Sequence, residues 1–374
     1  MHYFVLLTDD CNLNCSYCRG KIFEVPDFDF QSIDIDETLP CEASFNPGTL
    51  YSFLSKDEEA VLTFYGGEPL LRDDLIKEMM DNAPVKDFMI HTNGTLLNLL
   101  PSSYINRFRS IFVSIDGNRS LTDMCRGAGT YERIINNLVD ISKNGYKGEI
   151  IGRMTVTENT DIYESVRFLS SNDDFSFSSI HWQIDGNFWN DYSLRENFSR
   201  WVHDTYNPGI SMLIRYWVNV MEEEGRVLMW YPFVGTMGDL LSGYKKSPLR
   251  CGSGFANYSI MQDGSIAPCP CMAGMKDHYC GHIDTSSPCT AKKECISGEC
   301  LKCDILDFCG GRCLYSNITR PWPDEGRRAV YETVKNLKNC IESELPRVKG
   351  LIEEGVVSPE SFEYIKYNGC EIIP

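Results

Sequence analysis

"TDDCNLNCSYCRGK", residues 8–21, places cysteines at 11, 15 and 18 with the spacing C-x3-C-x2-C. A closed structural zinc site takes four protein ligands, and disulfides consume cysteines in pairs. Three thiols packed this tightly match neither count. The run just before them, "YFVLLT" (3–8), is short and apolar. It predicts a buried strand that ends where the cysteine loop begins.

Further strand-like runs follow at intervals: "AVLTFYGG" (60–67), "FMIHTNG" (88–94), "IFVSIDG" (111–117), "EIIGRMTV" (149–156) and "SIHWQID" (179–185). Each is rich in β-branched or aromatic residues, and several end in Gly or Asp. Helical stretches separate them, among them "DDLIKEMMDNA" (73–83) and "YERIINNLVDISKNG" (131–145). The second carries apolar residues at helical spacing and stops at Gly145. Six strands in β-α alternation predict an α/β fold with a parallel sheet. Periodicity alone leaves both a partial barrel and an open doubly wound sheet.

The chain has 374 residues, enough for two domains, with 43% hydrophobic and 12% aromatic content. Its net charge is −18 and its pI 4.8. An acidic surface repels phosphate backbones, so nucleic acid is excluded as a partner, while a neutral or basic peptide is not. Neither a basic signal region nor an apolar membrane span is present, and a cytoplasmic protein with no membrane partner is expected. In a reducing compartment seventeen cysteines argue for metal rather than disulfides, and eleven of them lie between 251 and 340.

Composition divides the chain further. Residues 1–192 hold the β-α units, and 193–250 read as a helical bridge. From 251 to 345 Cys, Gly, Pro and Lys rise and long apolar runs vanish, as in a segment stapled by metal. Residues 346–374 form a C-terminal tail. A helix is expected over 326–345. "YSIMQDGSIAPC" (258–269) reads as a hairpin turning at Asp263-Gly264.

Three thiolates can hold a [4Fe–4S] cluster by three of its irons and leave the fourth open to a small ligand. The CxxxCxxC spacing after a first strand is the signature of the radical SAM superfamily, and this chain resembles it further along. "YGGEP" (65–69) looks like that superfamily's GGE motif. "HTNG" (91–94) and "SIDG" (114–117) end the third and fourth strands as they do there. "CRGAGTYERIINNL" (125–138) is similar to a segment of anaerobic sulfatase-maturating enzymes and of maturases of ribosomally made, modified peptides (RiPPs). The cysteine loop, YGGEP, HTNG and SIDG all fall at C-terminal strand ends, where parallel barrels gather their working residues. The resemblance therefore implies a partial (β/α)6 TIM-like barrel.

It also implies roles. Cys11, Cys15 and Cys18 would ligate the cluster, whose open iron takes S-adenosylmethionine (SAM). Gly66, Gly67 and Glu68 would hold the methionyl amine, Ser114 and Asp116 the ribose, and Arg153 the carboxylate. Tyr17 and Asn93 join the cofactor-binding set. Arg126 would serve cofactor or substrate, and Asp185 is the candidate general base.

The C-terminal cysteines resemble a SPASM domain, a small module that holds auxiliary iron–sulfur clusters: Cys251 and Cys269 flank Gly264, "CLKCDILDFCGGRC" supplies Cys300, Cys303, Cys309 and Cys313, and Cys340 follows. In that family the domain binds two auxiliary [4Fe–4S] clusters, three in all with the first. Carried over, Cys251, Cys269 and Cys313 bind one, and Cys300, Cys303, Cys309 and Cys340 the other. The family's extra upstream cysteine is missing from "SGYKKSPLR" (242–250). The fourth ligand is then Cys271 or Cys280, or the iron is open. Cys289 and Cys295 match no family position, and Cys41, Cys125 and Cys370 read as ordinary cysteines.

The implied activity is generation of a 5′-deoxyadenosyl radical and oxidative modification of a peptide or protein, with a ferredoxin or flavodoxin as electron donor. Formylglycine formation, the sulfatase-maturating activity, is the alternative. A zinc-ribbon interaction protein is the alternative of another class. With a strand at residue 3, no N-terminal peptide-binding domain is expected.

Overall fold

β1, His2–Leu6, is the strand that leads into the cysteine loop. The other five expected runs are strands too: β2 (Val61–Tyr65), β3 (Asp87–Thr92), β4 (Phe108–Ser114), β5 (Glu149–Val156) and β6 (Ser179–Ile184). The computed structural model describes residues 1–19, 33–188, 192–195, 197–243, 249–288 and 290–374; Cys289 lies outside them. Helices fill the gaps between strands: Pro47–Leu54, Asp73–Asn82, Thr130–Lys143 and Ile162–Ser170. Connections of this length let consecutive strands lie parallel.

The chain folds as two units that interleave along the sequence. The first comprises Met1–Ile115, Thr122–Ile151 and Gly252–Cys295, and the second Asp116–Leu121, Gly152–Cys251 and Ile296–Pro374.

In the first unit β1, β2, β3 and β4 pair in parallel and in sequence order, with His2 opposite Val61 and Leu62 opposite Phe88. Val5, Leu62, Phe64, Ile90, Ile111 and Val113 are fully buried, as expected for strands covered on both faces. The expected hairpin forms from β8 (Asn257–Ile260) and β9 (Ser265–Ala267), and β10 (Gly281–His282) pairs antiparallel with β9. Asp263 Oδ1 accepts from Ser265 N–H at 2.8 Å in its turn, and Gly264 there has φ +97°. The hairpin does not stand apart. β8 pairs in parallel with the other edge of β1, His2 opposite Asn257.

In the second unit β6 pairs in parallel with β7 (Met229–Trp230). Helices Asn207–Glu224 and Tyr231–Leu241 occupy the expected bridge, and Trp182, Trp217 and Phe233 are buried beside them. The helix expected over 326–345 spans Asp324–Glu353. It continues through Pro346, whose cost of a few kcal/mol is offset by packing on Asn207–Glu224. There Asn336 donates to Asn207 O at 3.0 Å, and Arg347 to Asn219 Oδ1 at 2.9 Å. Among the described residues no helix is long and apolar enough to cross a membrane.

Candidate active site

The cysteine loop leaves β1 at Leu7 and is fastened to the end of β2 by main-chain bonds. Leu7 N–H donates to Tyr65 O at 3.0 Å, Gly67 N–H to Thr8 O at 2.8 Å and Glu68 N–H to Asp10 O at 2.8 Å. Only glycine permits this approach. A Cβ on Gly66 would stand 2.3 Å from Thr8 O, and one on Gly67 2.2 Å from Asp10 O. Gly66 also has φ +147°, which side chains other than hydrogen rarely adopt. The two glycines are thus needed to bring the end of β2 against the segment that starts the thiol loop.

Glu68 faces inward. Its carboxylate is fully buried and accepts three hydrogen bonds: Oε1 from Leu70 N–H at 3.1 Å and Thr92 Oγ1 at 2.7 Å, Oε2 from Asn93 N–H at 2.7 Å. Burial pushes its pKa up to about 7 against the pull of those donors. The side chain thereby locks the end of β2 to the end of β3.

Asn93 carries the connection to the thiols. Its Nδ2 lies 3.7 Å from Cys11 Sγ and donates to Asn12 Oδ1 at 2.8 Å; its Oδ1 accepts from Thr95 Oγ1 at 2.6 Å. Asn12 Nδ2 closes the ring on Thr95 Oγ1 at 2.9 Å. Burial pushes the Cys11 thiol up, Leu13 N–H at 3.4 Å pulls it down, and the Glu68 charge adds to the rise. Cys11 and Cys18 are exposed and Cys15 half-buried, none of them in a disulfide. The donor set is therefore three accessible thiols on one loop with an amide at one sulfur. That suits a cluster held by three thiolates with an iron left for another ligand.

The Arg-Gly-x-Gly-Thr-Tyr segment meets this loop. Ser16 N–H donates to Cys125 O at 2.9 Å, and the buried Arg126 guanidinium lies 5.4 Å from the Tyr17 ring centroid. Asp123 shapes the segment, accepting from Gly129 N–H at 3.0 Å and Tyr131 N–H at 2.8 Å. Asn12, Thr95 and Asp123 escaped the sequence reading. Their type is common in loops, and only the fold shows what they join.

Ser114 ends β4, half-buried, in the first unit. Asp116 and Arg153 belong to the second. Asp116 is buried and accepts from Thr155 N–H at 3.0 Å, and Arg153 Nη2 donates to Gln183 Oε1 at 3.3 Å. Asp185, at the end of β6, is spent within the protein: one oxygen pairs with Arg195, the other accepts from Asn187 N–H at 3.0 Å. Arg195 also pairs with Glu158 at 2.7 Å. Among the C-terminal cysteines, Cys269, Cys271 and Cys280 belong to the first unit, and Cys251, Cys300, Cys303, Cys309, Cys313 and Cys340 to the second. Cys309 is pushed up to about 11, chiefly by burial, with the charges of Cys300 and Cys303 adding to the rise. Cys340 Sγ lies 3.2 Å from Ser211 Oγ.

Residues 5–169 match the family model of the radical SAM superfamily. That span, from β1 through helix Ile162–Ser170 and less than half of the chain, is a radical SAM domain, a kind of domain that works with a [4Fe–4S] cluster and SAM. The zinc-ribbon alternative falls with this finding. Radical SAM cyclopropyl synthase TigE of Paramaledivibacter caminithermalis is 22% identical, with 91% of this chain and 74% of that protein covered. Native anSMEcpe with bound AdoMet and the Cp18Cys peptide is similar in fold, with a TM-score of 0.64 at 16% identity, covering 93% of this chain and 99% of that one. SuiB of Streptococcus suis bound to its precursor peptide SuiA superposes with a TM-score of 0.51 at 15% identity, covering 83% and 71%.

Proposed function

We propose that this enzyme oxidatively modifies a peptide or protein, with Cys11, Cys15 and Cys18 as the ligands of its SAM-binding cluster. The observation that carries the cluster assignment is the three-thiol loop fastened to the ends of β2 and β3 through Gly67, Glu68 and Asn93. The cluster and SAM, when bound, supply the one-electron cleavage that makes hydrogen abstraction from an unactivated C–H bond possible.

The chain's own residues position that chemistry. Gly66 and Gly67 offer main-chain groups to the methionyl amine, and Glu68 holds those groups still from behind. Asn93 orients the Cys11 sulfur. Arg126, stacked beside Tyr17, offers a cation next to the thiol loop. Ser114 and Asp116 are assigned to the ribose and Arg153 to the methionyl carboxylate. Asp185 is assigned to holding the loop after β6, because Arg195 and Asn187 already occupy its oxygens.

The peptide substrate class is supported by the company the fold keeps, since SuiB and anSMEcpe were both solved with peptides bound. We assign Cys300, Cys303, Cys309 and Cys340 to one auxiliary cluster, and Cys251, Cys269 and Cys313 to another. The test is anaerobic incubation of reconstituted enzyme with SAM, a reductant and the short peptide encoded nearest its gene. A peptide that loses hydrogen by mass spectrometry, with stoichiometric 5′-deoxyadenosine, supports the reading. Deoxyadenosine formation that no peptide accelerates, together with unchanged peptide mass, counts against it.

A further inference from the structure

The seven-cysteine pattern leaves the first auxiliary cluster one ligand short, and the C-terminal residues carry a thiol that the pattern does not claim. We propose that Cys370 supplies this ligand, joining Cys251 and Cys313; the proposal rests on the auxiliary-cluster reading above.

Cys370, four residues before Pro374, is fully buried. It sits in a tight turn in which Tyr367 and Gly369 have φ +63° and +96°. Cys370 N–H donates to Asn368 Oδ1 at 2.9 Å, Asn368 Nδ2 to Tyr231 Oη at 3.3 Å, and Tyr367 N–H to the Glu371 carboxylate.

The chain leading into this turn is fastened to the residues that fix Cys251. Arg250, just before Cys251, is buried; its Nη2 pairs with Asp239 at 2.6 Å and donates to Gly235 O at 3.1 Å. Lys366 lies 3.9 Å from the same Asp239, and the Tyr364 hydroxyl packs on Gly235. Arg250 also binds the segment that leads to Cys313. Its Nη1 donates to Phe308 O at 3.4 Å, beside Leu249 N–H to Gly310 O at 2.7 Å. Three stretches of the second unit, each bearing one of the three cysteines, thus meet around Arg250.

An independent observation points to an unseen partner here. Arg250 Nε, Arg312 Nε and Glu371 Oε2 are buried polar atoms without a hydrogen-bond partner. Each belongs to the residue next to one of these cysteines: Arg250 to Cys251, Arg312 to Cys313, Glu371 to Cys370. Orphaned buried groups are rare and call for an unseen partner. Two of the three are guanidinium donors, which seek an acceptor with negative charge. A thiolate-ligated iron–sulfur cluster is such an acceptor, and hydrogen bonds to its sulfurs are a known lever on its potential.

Cys280 is the weaker alternative. Its thiol already donates to His278 O at 3.6 Å. Cys271, in the turn Pro270–Met272, is left to the experiment.

The test uses full-length enzyme reconstituted anaerobically with iron and sulfide. Iron per chain and Mössbauer spectra are compared for wild type, C251S, C370S, C271S and C280S, with circular dichroism reporting the fold. Three clusters correspond to about twelve irons. Cys370→Ser is expected to lose about a third of the iron, or to keep it with one auxiliary cluster spectrally altered, and in either case to match Cys251→Ser. Cys271→Ser and Cys280→Ser are expected to match wild type. A C370S spectrum and iron content equal to wild type, in protein that holds three clusters, overturns the assignment of Cys370 alone. Wild type holding only about four irons overturns the auxiliary-cluster reading itself.

Discussion

Glu68 and Asn93 are joined by a buried hydrogen bond, Oε2 to main-chain N–H at 2.7 Å, that ties the end of β2 to the end of β3. Asn93 then extends its side-chain amide to Cys11 Sγ. A carboxylate with no exposure thereby controls where the first thiol of the loop sits.

The raised pKa of Glu68 makes stability fall with pH. Its ordinary value is 4.5, and burial lifts it to about 7 in the folded state. Between those values the folded state holds the proton that the unfolded state has released, so this contribution is complete below pH 4.5 and lost as pH rises through about 7. The loss is on the order of 3 kcal/mol. Urea unfolding at pH 5 and pH 8 should show a larger drop for wild type than for Glu68→Gln, which cannot ionise. Equal drops would mean that Glu68 does not titrate in this window.

Gly67→Ala should damage both fold and site. Its Cβ would meet Asp10 O at 2.2 Å and Asp9 O at 2.5 Å, main-chain atoms that cannot rotate away. Relieving such overlap typically costs about 1–3 kcal/mol or more, and the relief must move the thiol loop. The expected result is a lower urea midpoint together with reduced iron at the N-terminal cluster, measured in a variant without the C-terminal cysteines.

Asn93→Ala removes the amide at Cys11 and opens the ring with Asn12 and Thr95. Each lost bond is worth about 1 kcal/mol. Cluster iron should remain, because no thiol is touched, while SAM cleavage slows on the order of tenfold, the equivalent of about 1.4 kcal/mol. An unchanged cleavage rate would reduce Asn93 to a loop residue.

Arg195→Ala would strand two carboxylates, Asp185 and Glu158, in a largely buried place. Breaking one side of a buried pair costs about 3–5 kcal/mol, so thermal denaturation should show a large loss. Arg195→Lys should recover part of it, since one ammonium cannot serve both carboxylates as the guanidinium fork does.

The sequence was most legible where local chemistry and fold agree. Six apolar runs became six strands because β-branched and aromatic residues fit a doubly covered parallel sheet. "CNLNCSYC" and "YGGEP" were legible because their unusual residue types have few other uses. Long-range pairings were not. Nothing in "NYSI" announces that β8 will join β1, since any apolar strand can take an open edge. The inward turn of Glu68 and the pairing of Asp185 with Arg195 depend on which side chains the finished fold brings together. The helix through Pro346 was hidden by a residue that normally stops one, and tertiary packing overrode it.

The central claim is that three thiols at 11, 15 and 18 hold a cluster with one iron left for SAM. Electron paramagnetic resonance of the dithionite-reduced enzyme, with and without SAM, tests it directly, with C11A/C15A/C18A as the control. The account predicts a signal that shifts when SAM is added and is absent from the triple variant. A bound zinc ion at these cysteines, or a reduced-cluster signal in the triple variant that still shifts with SAM, would contradict it.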